Sequence, residues 1–185
     1  QGVFELSEAI RFVAGAEHEK SSASAFFPAN GGTTPDRAKT KATSFYGQAI
    51  LSPTDGLTLT GGARHDDFAD YGKETSLGGN LAYSPNGGKT VVRATYAEGF
   101  RAPTLTETLL PFGNTALKAE TAKSMDFGIE QNALDNRLRV AATWFRRTSR
   151  DQINFSFITF QSENIERVGS QGLELELEAK PTDTL

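Results

Sequence analysis

Leucine and glutamate alternate near the C-terminal end of the chain, where Leu173, Leu175, Leu177 and Ala179 interleave with Glu174, Glu176 and Glu178. Wound into a helix, this run would scatter both residue types around the axis. Extended, it puts every leucine on one face. The same period of two recurs upstream. Leu57 and Leu59 alternate with Thr58 and Thr60, and Leu77, Gly79, Leu81 and Tyr83 with Gly78, Asn80, Ala82 and Ser84. Met125, Phe127 and Ile129 alternate with Asp126, Gly128 and Glu130, and Leu138, Val140, Ala142 and Trp144 with Arg137, Arg139, Ala141 and Thr143. A weaker version runs through Val92, Ala94 and Tyr96. The pattern predicts eight strands, at about 9–18, 42–51, 56–66, 75–84, 89–98, 120–132, 137–150 and 167–180.

The connections sort into two kinds. Ser52 to Asp55, Ser84 to Gly88, Ala133 to Asn136 and Lys180 to Thr184 are short and hold the Pro, Gly, Asn and Asp that tight turns use. The stretches 19–41, 67–74, 99–119 and 151–166 are generally longer. Short and long alternate strictly, as in an outer-membrane barrel with tight turns on one side of the bilayer and larger loops on the other. Most predicted strands run to about 10 residues, the length that crosses a bilayer when tilted. On this reading one face of each strand meets lipid, while Arg, Glu, Thr, Asn and Gly line a wet interior. Trp144, Phe145, Tyr46, Phe45, Tyr83 and Tyr96 are candidates for interfacial aromatic girdles. A soluble β-sandwich is the alternative at this point, and would turn Leu57, Leu59, Leu173, Leu175 and Leu177 toward a protein core.

Composition narrows the choice only a little. The 185 residues carry a net charge of −4 with 18 Gly, 13 Phe and no Cys. The pI is about 5.3 and the mean hydropathy −0.40. No apolar run reaches the roughly 18 residues of a spanning helix, but a transmembrane barrel needs apolar residues on one face alone. Absence of cysteine removes disulfides and thiolate metal sites. Mild acidity without a basic stripe argues against nucleic acid as a partner. Both ends read as cut from a longer chain, since Gln1 lies close to a strand and the sequence closes on a turn leading into Leu185.

Residues 96–131 carry the most specific signal. Tyr96-Ala97-Glu98-Gly99-Phe100-Arg101-Ala102-Pro103-Thr104 is followed by Pro111-Phe112-Gly113-Asn114, and then by Leu117-Lys118-Ala119-Glu120-Thr121 leading into the next alternating segment. This arrangement resembles the signature around an extracellular loop in the barrel of TonB-dependent outer-membrane receptors. Gly61-Gly62-Ala63-Arg64-His65-Asp66 through Tyr71-Gly72, and Asn164 through Gly172-Leu173-Glu174, are similar to two further landmarks of that family, in the family's order. The resemblance covers about residues 42–185. It implies an all-β, antiparallel up-and-down transmembrane barrel, of which this chain would be a fragment of about eight strands from a total of about 22. It also implies that 1–185 is partial barrel domain, with the plug domain and C-terminal strands lying outside it. TonB would act through that plug.

The implied role is uptake of a scarce nutrient, cobalamin or a ferric siderophore, with outer-membrane lipid around the barrel. The Pro-Phe-Gly-Asn loop and the run Phe145-Arg146-Arg147 through Asp151-Gln152-Ile153 look most like the cobalamin-receptor branch. Ala119 departs from the family, which usually has Pro before Glu120. A passive porin-like barrel is the rival reading.

Candidate sites follow from these assignments. Arg101, Phe112, Asn114, Phe155 and Phe157 fall in predicted external loops, where exposed aromatics would pack on a corrin ring or a catecholate. Arg93, Arg137, Arg139, Glu174 and Glu176 are expected to face the lumen and pair across strands. Asp66, Asp67 and Asp70 are candidates for a calcium site, being oxygen donors within five residues, although without EF-hand spacing. No other cofactor is expected. His18 and His65 stand far apart with no Cys to assist, and no nucleophile elbow or phosphate loop appears, so the chain does not read as an enzyme.

Overall fold

The computed structural model describes residues 1–25, 36–109 and 113–180. It is a single antiparallel sheet of β1 (Gly2–Ser7), β2 (Ile10–Ala25), β3 (Asp36–Thr54), β4 (Leu57–Phe68), β5 (Gly72–Tyr83), β6 (Thr90–Arg101), β7 (Glu120–Ala133), β8 (Leu138–Ser156) and β9 (Gln161–Ala179). The strands lie side by side in chain order. A one-turn helix, α1 (Leu105–Leu109), interrupts the connection from β6 to β7. The predicted all-β up-and-down wall is therefore present, with nine strands where the pattern suggested eight. The additional strand is β1, which returns into β2 through a two-residue turn at Glu8-Ala9 that contains neither Gly nor Pro. Among the described residues β1 and β9 do not pair with each other, so the sheet is open. It is also curved: α1 leaves from β6 yet touches β2 and β3.

Register fixes the two faces. Ala94, Phe127, Trp144 and Leu173 stand opposite one another across four strands, and so do Val92, Ile129, Ala142 and Leu175. Leu51, Leu59, Leu81 and Ala94 continue the same face across the rest of the sheet. This face is uncovered, with Leu173 63%, Leu175 73% and Leu177 74% exposed. Among the described residues only Ala38 and Leu117 are buried hydrophobics, and neither belongs to that row. A β-sandwich would have closed a second layer over the leucines. Here the apolar side chains are turned outward to a non-aqueous surround, and the backbone polar groups are satisfied strand to strand, as hydrocarbon demands.

One end of the wall is tight and the other is built up. Asp55-Gly56, the residues between β5 and β6, and Leu134 to Arg137 make close turns. Gly56 has φ +74° and packs against the Ser84 backbone so closely that any Cβ would meet the carbonyl oxygen. Leu134, Asp135 and Asn136 also adopt positive φ. At the opposite end two of the expected long loops are strand instead. The 67–74 connection shrinks to Ala69-Asp70-Tyr71, and 151–166 becomes an extension of β8 and β9 closed by a turn at residues 157–160. Likewise β2 and β3 extend through 19–25 and 36–41. The extensions of β2 and β3 carry no large apolar side chain, so no apolar row marked them in the sequence, and in β8 the row of Ile153 and Phe155 is only two residues long. Above the hydrocarbon a hairpin needs backbone pairing and not an apolar face. The predicted turn beyond Lys180 lies outside the described residues.

Two of the proposed girdle aromatics turn inward. Tyr46 and Phe145 share the face of Arg64 and Thr143, whereas Phe45, Tyr83, Tyr96 and Trp144 stand on the apolar face. Adjacent strand residues must point to opposite sides, so Phe45-Tyr46 and Trp144-Phe145 could each give only one ring to the exterior. Tyr46 stacks instead under the Arg64 guanidinium, 5.9 Å from its ring centroid.

Candidate functional site

At the built-up end the described residues of the β6–β7 connection, 102–109 and 113–119, fold against the polar face of the wall. Its conformation begins with a capping box. The Thr104 hydroxyl accepts from the Glu107 N–H at 3.3 Å, and Glu107 Oε2 accepts from the Thr104 N–H at 2.7 Å. This reciprocal pair starts α1. It also aims the Glu107 carboxylate at Arg101, whose Nη1 and Nη2 donate to it at 3.0 and 3.2 Å. Nη2 of Arg101 donates as well to Glu120 Oε1, at 2.6 Å. That carboxylate oxygen also accepts the Ile153 N–H at 2.6 Å. One guanidinium thus joins the end of β6, the helix, the start of β7 and, through Glu120, the upper part of β8.

Further bonds pin the rest of the segment. The Tyr71 hydroxyl and the buried Thr108 hydroxyl lie 3.1 Å apart, tying α1 to the turn after β4. Asn114 Nδ2 donates to the Ser162 carbonyl at 3.0 Å, and Asn114 Oδ1 accepts from the Ala116 N–H at 2.9 Å. Asn164 then clasps Lys118 at both backbone groups, with Oδ1 accepting its N–H at 2.9 Å and Nδ2 donating to its carbonyl at 3.0 Å. The same amide reaches the carbonyl of Asp151, a residue at φ +53° that interrupts the β8–β9 pairing between Arg150–Arg167 and Gln152–Ile165 without changing its register. Leu117, 7% exposed, is the apolar plug beneath these contacts.

About ten residues from Thr90 suffice to cross a bilayer, so Arg101, Glu107 and Glu120 lie beyond the crossing segment. Burial alone would raise the Glu107 carboxyl. The Arg101 guanidinium and the Thr104 donors outweigh it and hold Glu107 below the ordinary carboxylate range. Glu120 is lowered chiefly by Arg101, and Arg101 in turn is held more firmly protonated by Glu120 and Glu107. The cluster therefore carries two carboxylates and one guanidinium at neutral pH.

This placement changes several expectations. Arg101 and Asn114 direct their polar groups to holding the segment together. Phe112 lies outside the described residues. Phe155 and Phe157 do come together, edge to face at 5.4 Å, and Phe157 is 81% exposed at the tip of the β8–β9 hairpin. The residues that sequence reasoning passed over are Glu107, Glu120 and Asn164. The Thr104-x-x-Glu107 spacing points to the first, while Glu120 and Asn164 stand inside two of the quoted landmarks with no role that the pattern assigns them.

The remaining candidates sit on the wall below. Arg139 donates to Glu130 at 2.9 Å and to Glu176 at 3.0 Å, and Arg93 lies 3.8 Å from Glu130, all on the face opposite the apolar row. Glu174 shares that face, opposite Thr143. Arg137, by contrast, belongs to the turn before β8 and is not on a strand. The three aspartates do not converge. Asp66 is 2% exposed on the polar face, accepting from Ser44 at 2.5 Å and Arg64 at 2.9 Å, while Asp67 points to the other face and pairs with Lys73 at 2.8 Å. Asp70 lies in the turn between β4 and β5. Alternation along β4 separates the first two whatever their spacing. Among the described residues no trio of His, Cys, Asp or Glu is placed to hold a metal ion.

Comparison with known proteins places this architecture. The family model described as TonB dependent receptor-like, beta-barrel matches residues 2–182. No curated protein matches the chain. Among solved structures, the siderophore receptor PirA from Pseudomonas aeruginosa is 25% identical with a TM-score of 0.76, over 94% of this chain and 34% of that one. A mutant ferric enterobactin receptor from the same organism, in complex with enterobactin, is 19% identical with a TM-score of 0.77, over 94% of this chain and 31% of its own. PirA from Acinetobacter baumannii is 18% identical with a TM-score of 0.78, over 98% and 33%. The chain thus spans about a third of the length of the solved structures it matches.

Proposed function

This chain belongs to the TonB-dependent receptor β-barrel family, whose barrels lie in the outer membrane of Gram-negative bacteria, and from that premise we propose that it serves energised uptake of a ferric siderophore. The observation that carries the reading is the 102–119 segment. It is folded onto the polar face at the built-up end by Arg101, Glu107, Glu120 and Asn164, beside the exposed Phe155–Phe157 pair. A hydrogen-bonded polar platform beside aromatic rings suits a bulky ligand with an aromatic periphery and a polar centre, such as a ferric catecholate. The family supplies the energy source, TonB, and the surrounding lipid as partners. The family is one of receptors and transporters, which supports reading the protein as a receptor and not as an enzyme.

The order of ligands is reversed from the one the sequence suggested. Cobalamin led there on the Pro-Phe-Gly-Asn loop and on the Phe145 to Ile153 run. Those features now count for less, because the latter lies along a strand, β8, and because the solved structures reported above are siderophore receptors. Cobalamin is the second reading.

The test is equilibrium binding to outer membranes that display the full-length receptor. Ferric catecholates, ferric hydroxamates and cyanocobalamin are compared before and after removal of residues 102–119. Saturable catecholate binding that disappears with the segment is the expected result. Saturable binding of cyanocobalamin instead would transfer the assignment, and passive solute leak with no saturable binding would support a porin-like barrel.

A further inference from the structure

The outward face does not end with its apolar row. Moving up from Phe127, Trp144 and Leu173, the next outward level is Met125, Arg146 and Gln171, and above it stand Lys123 and Thr148, then Thr121, Arg150 and Arg167. These side chains frame a pocket of about 410 Å³ that opens away from the lumen side. Lys123 is neutralised by Glu98, whose Oε1 accepts from its Nζ at 2.7 Å. Among the described residues Arg146, Arg150 and Arg167 have no carboxylate partner. All three are exposed. Glu163, four residues from Arg167 along the same row, is engaged by the Thr159 hydroxyl at 2.6 Å. An acidic chain, with net charge −4, has therefore gathered three unpaired guanidinia just above its lipid-facing band.

Position selects the ligand class. A soluble anion would be served equally well by arginines on a loop tip. These arginines continue the stripe that faces acyl chains, at the height where phosphate-bearing headgroups of the outer leaflet begin. Guanidinium matches phosphate with paired N–H donors, and its stem packs on neighbouring apolar surface while the head reaches up to the interface. Thr121 and Thr148 add hydroxyl donors between the charged groups. We infer that Arg146, Arg150 and Arg167 form a docking site for the phosphorylated headgroup of an outer-leaflet glycolipid, whose acyl chains lie along Phe127, Trp144 and Leu173. The inference rests on the outer-membrane placement of the barrel and goes beyond ligand uptake, so the identity of the imported nutrient does not enter its test.

The experiment uses the full-length receptor extracted from outer membranes in mild detergent. Retained bisphosphorylated glycolipid is counted by native mass spectrometry, and its affinity is then measured after delipidation. The triple substitution Arg146→Gln, Arg150→Gln, Arg167→Gln is expected to weaken binding roughly hundredfold, at about fivefold for each basic residue beside an anionic membrane surface. The unaltered receptor is expected to bind the same glycolipid stripped of its phosphates no better than the triple variant binds the intact one. Inorganic phosphate at millimolar concentration is expected not to displace it. Equal retention by the variant would overturn the proposal. So would indifference of the unaltered receptor to the lipid phosphates, a comparison that stands even if the variant fails to assemble. Displacement by inorganic phosphate alone would assign the pocket to a soluble anion.

Discussion

Arg101 illustrates how a single side chain can look like a ligand contact in sequence and be a strut in structure. Its two carboxylate partners are 13 residues apart, at positions 107 and 120, and only the return of the chain along β7 brings them together. The capping box was the one local trace of this arrangement, and it was hidden inside a stretch that otherwise reads as loop. Glu107 and Glu120 both titrate below their ordinary range in the folded state. The stabilisation they give is therefore complete above the unfolded carboxylate pKa and is lost as pH falls through the folded values. Protection factors for amide exchange in 102–109 and 113–119 should be flat from neutral pH down to about 5 and should fall below about 4. Glu107→Gln should loosen the segment at neutral pH by about 1–2 kcal/mol, the range for a charge-assisted hydrogen bond to a partly exposed guanidinium. Exchange in the variant that matches the parent at pH 7 would contradict the clamp.

A glycine pair offers a second test at this scale. A Cβ on Gly62 would lie 2.8 Å from the Gly47 carbonyl oxygen, whereas Gly61 has open space around it. Gly62→Ala should destabilise the folded receptor by about 1–3 kcal/mol and Gly61→Ala by well under 1, as read from urea unfolding of the assembled receptor.

At the scale of strands, legibility followed the solvent. Where one face meets hydrocarbon and the other water, the two-residue period was plain, and β4 through β9 were legible from it. Where both faces meet water, as in the upper parts of β2 and β3, polarity was uniform and the sequence looked like loop, and in upper β8 the row of Ile153 and Phe155 was too short to mark a strand. The period also left unsaid which of two adjacent aromatics, such as Phe45 and Tyr46, would turn outward. The facing assignment itself is testable. Leu175 stands on the apolar face and Glu174 next to it on the polar one. Both lie near the middle of the roughly ten residues at the tight-turn end of β9 that suffice to cross a bilayer. Leu175→Arg should cost roughly 2–4 kcal/mol of folding stability in lipid, as a cation placed near the midplane of a barrel does. Glu174→Arg should cost much less. Equal effects would mean that the two faces are not lipid and lumen.

For the molecule as a whole, the sheet has the construction of a wall segment. Among the described residues nine strands run in sequence, the apolar row faces outward, carboxylates and guanidinia pair across the inner side, and a single helical turn lies at the built-up end. Family and fold were legible because alternation and three ordered landmarks survive in one short chain. Ligand choice was not, since it depends on side chains that the fold either commits to one another, as with Arg101 and Asn114, or leaves exposed, as with Phe157. The most direct measurement of the central claim is accumulation of radiolabelled iron, supplied as a ferric catecholate, by iron-starved cells whose only siderophore receptor is the full-length protein. Accumulation that saturates, requires TonB and falls to background when residues 102–119 are removed is the predicted result. Uptake that proceeds equally without TonB, or is indifferent to that segment, would contradict the account.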